Sequence, residues 1–136
     1  MRKKGATVFG YVVNTPEQYG VVELDEQGRA LSIEEKPKRP KSNHAVTGIY
    51  MYDGTVFDKV RTLVPSHRGE LEITDVNNAY IREGSMTYAQ LEGWWTDAGT
   101  FDSLLRAGSL VASSRARAAA QPETEDREAV SETGRR

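Results

Sequence analysis

The sequence predicts a mixed α/β fold, and three features support that prediction. β-Branched and aromatic runs, such as residues 7–13, are separated by turn signals, which is typical of strands. Later segments repeat apolar residues every three or four positions, which indicates amphipathic helices. The chain has 136 residues and no cysteine, so an ordinary domain can bury its own core, and disulfide or thiolate chemistry is excluded.

Composition argues against several classes of function. The 18 basic and 20 acidic residues give a formal charge of −2, which does not suit a nucleic-acid protein that works by neutralising phosphates. No apolar run approaches the roughly 18 residues that a membrane helix needs. The basic start at Met1 is not followed by an apolar signal-peptide core, so we expect no export signal and a cytoplasmic location.

Four strands are predicted in the first part of the chain, at residues 7–13, 20–25, 30–36 and 45–52. A turn at 26–29 joins the second and third strands, with Gly28 free to adopt a positive φ. Pro37 and Pro40 bracket a basic, exposed loop after the third strand. The fourth strand is the most hydrophobic run, so it is predicted to be buried at the centre of the sheet.

Helices are predicted at residues 55–63, at 73–83 with Gly84 as the stop, and at 101–115 with Thr100 as the cap. A further strand is expected at 87–91. Residues 116–136 are mainly alanine, arginine and glutamate and cannot bury enough apolar surface to offset their ordering entropy. We therefore expect a domain at 1–115 and a disordered tail at 116–136, with some helix near the alanines.

Glu35 and Lys36 form the first candidate site, at the predicted end of the third strand. Neighbouring strand residues point to opposite faces, so the two side chains can face one ligand only if the strand ends there, as Pro37 favours. The carboxylate suits sugar hydroxyls, and the lysine suits a phosphate. A surface salt bridge is the alternative.

Asp97 is the second candidate, between two tryptophans and a glycine-containing turn that leads into a helix. Mg²⁺ is commonly held by one or two carboxylates together with substrate phosphates, so Asp97 is a candidate Mg²⁺ ligand. The alternative is that Asp97 caps the helix and the tryptophans, Trp94 and Trp95, fill the core.

Three further positions are weaker candidates. Arg68 has the geometry to fork onto a phosphate, or it is a solvated charge beside two acids. Tyr19 and Gly20 offer backbone that a ligand can approach closely, or they form a plain turn. His44 and His67 have no partner at metal-binding spacing and are assigned no role.

Seven short segments follow one another in the order in which a known family carries them. They are GATVFGY at 5–11, YGVVE at 19–23, EEKP at 34–37, PKSN at 40–43, AVTGIY at 45–50, RGELEIT at 68–74 and WTDAGTFDSL at 95–104. Together they resemble the sugar-1-phosphate nucleotidylyltransferases, and within them the branch that uses glucose 1-phosphate and dTTP. The resemblance covers residues 3–112.

The resemblance implies a three-layer, Rossmann-like α/β fold in which a sugar 1-phosphate attacks the α-phosphorus of a nucleoside triphosphate, with Mg²⁺ as cofactor. By position, Glu35 is implied to hold sugar hydroxyls, and Lys36 to meet the sugar phosphate with Arg68 as its partner. Asp97 is implied to be one of two metal-binding aspartates. The implied pocket wall consists of Tyr19, Gly20, Val46 and Trp95.

The sequence departs from the family on the nucleotide side of the site. It has neither the glycine-rich loop ending in arginine nor the Gly-Asp strand end of the second metal ligand, and Met1 falls about halfway through the family's domain. We therefore expect the C-terminal, sugar-phosphate half of the domain, with a mixed sheet and no activity alone. The alternatives are an inactive fragment or a sugar-phosphate-binding or assembly module, as a homo-oligomer or with a complementing N-terminal half.

Overall fold

The computed structural model describes residues 4–120 and divides the chain into two compact units, Met1–Trp95 and Thr96–Arg136. The strands are β1 (Ala6–Val12), β2 (Gly20–Leu24), β3 (Ala30–Glu35), β4 (His44–Tyr52) and β5 (Met86–Gln90). The helices are α1 (Val56–Arg61), α2 (Ile73–Arg82) and α3 (Phe101–Ala120), and a single 3-10 turn lies at Pro16–Gln18.

The five strands form one sheet in the order β3-β2-β4-β1-β5. Strand β1 pairs antiparallel with β4 and parallel with β5, so the sheet is mixed, as predicted. The hairpin between β2 and β3 turns at Gly28, whose φ of +76° lies in the left-handed region that favours glycine. The Asp25 carboxylate accepts hydrogen bonds from the amides of Gln27 (2.9 Å) and Arg29 (2.8 Å) and so fixes this predicted turn.

Strand β4 lies at the centre of the sheet, as predicted, but only part of it is buried. Tyr50 and Tyr52 pack against the two core clusters, whereas Ile49 and Met51 are 49% and 62% exposed. Alternate residues of a strand point to opposite faces, so one face of β4 packs and the other remains open within the described residues. The prediction of a fully buried strand was therefore wrong for its second half.

Helix α2 packs against β3, β1 and β5 and buries a more polar face than its apolar spacing predicts. Its buried residues are Thr74, Val76, Asn77 and Tyr80, while Ile73 is 41% exposed. Partners satisfy part of this polar face, as where the Tyr52 hydroxyl donates to Asn77 Oδ1 (2.6 Å), while Asn77 Nδ2 is buried without a hydrogen-bond partner among the described residues.

Helix α3 begins where it was predicted and runs further. The Ser103 amide donates to Thr100 Oγ1 (3.1 Å), and the Thr100 amide donates to Ser103 Oγ (3.0 Å), so Thr100 caps the helix. The helix continues to Ala120, beyond the predicted end at residue 115. The rest of the predicted tail, residues 121–136, lies outside the described residues. None of the helices in the described part of the chain is both long and apolar enough to cross a membrane.

The Asp53 carboxylate ties three parts of the first unit together. It accepts hydrogen bonds from the Gly5 amide (2.6 Å), the Thr55 hydroxyl (2.6 Å) and the Tyr80 hydroxyl (2.9 Å). The bond from the Thr55 hydroxyl, followed by that from the Gly5 amide, holds the pKa of Asp53 well below its ordinary value.

We predict that Asp53→Asn lowers the free energy of unfolding at neutral pH and that this loss shrinks in acid. Folding depresses the pKa of this carboxyl, so its full contribution to stability is present above its unfolded pKa of about 4. The contribution is lost as the pH falls from that value through the folded pKa. Urea unfolding of both proteins between pH 7 and pH 2 measures the difference. A difference that stays constant down to pH 2 would contradict the assignment.

Candidate functional site

Strand β3 ends at Glu35. The next residue, Lys36, leaves the extended conformation in which neighbouring side chains point to opposite faces of the sheet. Lys36 has φ +45°, and no other non-glycine residue of the described chain has a positive φ. Its amide donates to the Tyr19 carbonyl (3.0 Å), which anchors this turn to the start of β2. Glu35 and Lys36 therefore line the same cleft, as the predicted strand ending requires.

This cleft lies between the end of β3 and the segment that enters α2, and it has a volume of about 970 Å³. Its lining residues are Ile33, Glu34, Glu35, Lys36, Lys38, Arg39, Ser66, His67, Arg68, Glu72, Thr74, Asp75 and Asn78. Cationic and carboxylate side chains are both present, so the cleft suits a small ligand that carries a phosphate and several hydroxyl groups.

Lys36 and Arg68 face this cleft from its two sides, in different electrostatic settings. Among the described residues no carboxylate forms an ion pair with Lys36, so the predicted salt-bridge alternative is not observed. Arg68 lies 3.2 Å from a carboxylate oxygen of Glu70 and 3.7 Å from one of Glu72. A phosphate must compete with these acids for Arg68, whereas it meets Lys36 without such a competitor.

The loop that carries Arg68 is held by short local bonds. The Ser66 hydroxyl donates to Glu72 Oε1 (2.9 Å) and accepts from the Arg68 amide (3.1 Å). Gly69, with φ +78°, makes the turn, and its amide donates to the Ser66 carbonyl (2.8 Å). These bonds fix the backbone from which Arg68 reaches the cleft.

Thr74 and Gly20 lie beside the Glu35 carboxylate. The buried Thr74 hydroxyl lies 3.4 Å from Glu35 Oε2. A Cβ on Gly20 would stand 3.2 Å from Glu35 Oε2 and 3.8 Å from Val46 Cβ, so Gly20 adjoins the carboxylate and Val46 adjoins Gly20. Burial, and then the charge of Glu35, raise the pKa of the Tyr50 hydroxyl.

Trp95 belongs to an aromatic cluster with Tyr11 and Tyr19. Its ring centroid lies 5.6 Å from that of Tyr19, edge to face, and 5.9 Å from that of Tyr11. Tyr19 in turn accepts the Lys36 amide through its carbonyl. Trp94 is 45% exposed, so the alternative in which both tryptophans fill the core is wrong.

Asp97 lies in the second unit and is exposed. Its Oδ2 accepts a hydrogen bond from the Gly99 amide (3.0 Å), while Thr100 caps α3, so Asp97 is not the helix cap. Within residues 4–120, no group of three or more histidine, aspartate or glutamate side chains is arranged to hold a metal ion. A cation at Asp97 would therefore need oxygen ligands from substrate phosphates.

The structure thus brings Glu35, Lys36 and Arg68 into one cleft, with Gly20 beside the carboxylate and Val46 beside Gly20. Tyr19 accepts the Lys36 amide and packs against Trp95, and the orientation of Asp97 toward the cleft stays a prediction. Thr74 and Asn78 also line the cleft and were not predicted as site residues from the sequence. Thr74 ends the RGELEIT segment, which was the available signal, whereas nothing in the sequence pattern singled out Asn78.

Solved structures show the same fold. A Bacillus anthracis protein, described as a glucose-1-phosphate thymidylyltransferase and crystallised with sucrose, has a TM-score of 0.73 at 54% identity over 79% of this chain and 44% of its own. A UDP-glucose pyrophosphorylase, complexed with UDP-glucose, reaches a TM-score of 0.72 at 22% identity over 82% of this chain and 45% of its own. The class defined by this fold is that of the α/β nucleotidyltransferases, as expected.

Sequence comparison gives the same class. The model of the nucleotidyl transferase family matches residues 1–114, so this chain belongs to that family. The glucose-1-phosphate thymidylyltransferase of Xanthomonas campestris is 51% identical over 112 residues, which are 81% of this chain and 38% of that enzyme. The glucose-1-phosphate thymidylyltransferase of Neisseria meningitidis is 53% identical over 109 residues, which are 79% of this chain and 38% of that enzyme. The chain thus spans somewhat over a third of the length of these curated relatives.

Proposed function

We propose that this chain provides the sugar-phosphate side of the active site of a glucose-1-phosphate thymidylyltransferase. In the proposed reaction a phosphate oxygen of glucose 1-phosphate forms a bond to the α-phosphorus of dTTP. The bond from that phosphorus to the bridging oxygen of the β-phosphate breaks, and pyrophosphate leaves with the electron pair. The products are dTDP-glucose and pyrophosphate, so atoms and charge balance.

The observation that carries the proposal is the meeting of Glu35, Lys36 and Arg68 in one cleft. In our assignment Lys36 and Arg68 bind the sugar phosphate from two sides, and Glu35 accepts hydrogen bonds from sugar hydroxyls. The neighbouring wall is assigned to Tyr19, Gly20, Val46 and Trp95. None of these residues has to act as a base or nucleophile, because the attacking phosphate is already an anion.

The role of these residues is to position the substrate and to balance its charge. A phosphate held by two cations keeps its reactive oxygen in a fixed orientation, and such positioning supplies much of the catalysis in reactions of this kind. Mg²⁺, when bound, would offset charge on the triphosphate. We assign Asp97 as one of its ligands, because an exposed carboxylate together with phosphate oxygens is the donor set that Mg²⁺ prefers.

The nucleotide side of the site is not assigned to this chain, because the sequence contains no glycine-rich loop that ends in arginine. We propose that thymidylyl transfer requires such a loop, supplied by a complementing polypeptide segment. We also place the protein in the cytoplasm, where nucleotide sugars are made. A sugar-phosphate-binding module without turnover is the second candidate, and the missing loop favours it for the chain alone.

Calorimetric titration tests the binding function. Glucose 1-phosphate is expected to bind more tightly than glucose or inorganic phosphate, since it occupies the carboxylate and the cations together. A turnover assay with dTTP, glucose 1-phosphate and Mg²⁺ on the same sample then distinguishes the two candidates. Binding with dTDP-glucose formation supports the enzyme, and binding without it supports the module. Absence of saturable binding would contradict both.

A further inference from the structure

Asn78 of α2 is hydrogen-bonded to the backbone of the edge strand β3. Its Oδ1 accepts from the Ile33 amide (2.9 Å), and its Nδ2 donates to the Ile33 carbonyl (2.8 Å). Strand β3 is the last of the sheet and has β2 as its neighbour on one side. Because a backbone amide can only donate and a carbonyl can only accept, the orientation of the Asn78 side chain is fixed. Asn78 therefore takes the place of a neighbouring strand at this residue.

This pair of bonds joins the two walls of the cleft. Ile33 lies two residues before Glu35, so their side chains share a face of β3. Asn78 lies about one turn after Thr74 along α2. The bonds thus connect the wall that ends in Glu35 to the wall that follows the Arg68 loop.

Other bonds between these two elements are weaker. Among the described residues the remaining hydrogen bond between α2 and β3 is that from the Thr74 hydroxyl to Glu35, at 3.4 Å. That distance is near the limit for a hydrogen bond, whereas both Asn78 bonds have ordinary lengths. The separation of the walls therefore depends mainly on Asn78 and on apolar packing around Ile33.

We propose that Asn78 is a positioning residue, which sets the distance between the two walls and thereby the affinity of the cleft for sugar 1-phosphates. The inference rests on the proposed function, because it concerns the same cleft. A ligand that bridges Lys36 and Arg68 contacts both walls, so a small change in their separation weakens one contact or the other. Asn78 itself need not touch the ligand.

The test uses two variants and a control. Asn78→Ala removes both bonds, and Asn78→Asp keeps the size of the side chain but turns the donor that faces the Ile33 carbonyl into an acceptor. Each is expected to lower the affinity for glucose 1-phosphate about tenfold, the usual effect of losing positioned hydrogen bonds. Asn43→Ala, an exposed asparagine outside the cleft, is expected to leave the affinity unchanged. Circular dichroism establishes that each variant is folded at the titration temperature.

A second measurement separates positioning from general destabilisation. If Asn78 holds the walls in place, Lys36→Ala should reduce the affinity by a smaller factor in the Asn78→Ala background than in the wild type. An equal factor in both backgrounds would overturn the inference, and if Asn78→Ala does not fold, the same comparison uses Asn78→Asp. Wild-type affinity in both Asn78 variants would also overturn it while leaving the proposed function standing. Absence of binding by the wild type would overturn both.

Discussion

Lys36→Ala is expected to bind glucose 1-phosphate about ten- to a hundredfold more weakly than the wild type. The reason is that hydrogen bonds to charged groups contribute about 1.5–3 kcal/mol each. Lys36 has no ion pair with a described carboxylate, so its whole charge is available to the phosphate. Arg68→Ala should have a smaller effect, because Glu70 and Glu72 already pair with that guanidinium. Calorimetric titration of the three proteins under the same conditions measures both effects.

Lys41→Ala is the matched control for this comparison. Lys41 is also exposed and lies five residues further along the chain, but it pairs with Glu23 (2.7 Å) and does not line the cleft. Its loss should leave the affinity within about twofold of the wild type, since it removes a surface charge that already pairs with Glu23 and lies outside the cleft lining. Equal losses in Lys36→Ala and Lys41→Ala would show that net charge, and not a site, determines binding.

Tyr80→Ala is expected to have the largest effect on stability, with a loss of about 3–5 kcal/mol in the free energy of unfolding. Tyr80 is 1% exposed, and its ring stacks on that of Tyr52 with centroids 5.6 Å apart. Its hydroxyl donates to Asp53, and Lys59 lies over its ring, 4.5 Å from the centroid. The substitution therefore removes packing, a hydrogen bond and a cation–π contact together.

Urea unfolding measures this loss of stability. One further variant isolates the contribution of the hydroxyl, and a second serves as an exposed control. Tyr80→Phe removes only the hydroxyl and should cost about 1.5–3 kcal/mol, the net value of a hydrogen bond to a charged group. Phe57→Ala removes an aromatic ring that is 66% exposed and should change the stability much less. A Tyr80→Ala variant as stable as Phe57→Ala would contradict the assignment of Tyr80 to the core.

The parts of the fold that local physics determines could be predicted from the sequence. The turn at Gly28 and the cap at Thr100 each depend on residues within a few positions of one another, and both are present. The polar face of α2 could not be predicted in this way. Glu35 and Tyr52, which are distant in sequence, supply partners for the buried Thr74 hydroxyl and for Asn77 Oδ1, while Asn77 Nδ2 has no hydrogen-bond partner among the described residues. Apolar spacing alone pointed to Ile73 instead.

The candidate site likewise combines features that the local sequence predicts with features that it does not. Pro37 indicated that β3 ends near Glu35 and Lys36, which is a local signal. The left-handed conformation of Lys36 could not be predicted, because the residue before a proline usually has an extended backbone. Each charged residue taken alone was better explained as part of a solvated surface, and only resemblance to a family grouped them. The bonds from Asn78 to Ile33 depend on the packing of α2 against an edge strand, which no spacing along the chain encodes.

A titration of isotope-labelled chain with glucose 1-phosphate, followed by amide NMR shifts, locates the ligand on the structure. We expect saturable shifts grouped at residues 33–36, 66–68 and 72–78 and at the assigned wall, residues 19–20, 46 and 95, with β5 and α3 unaffected. Shifts scattered over the surface, or a saturable group elsewhere in the chain, would contradict a sugar-phosphate site between β3 and α2.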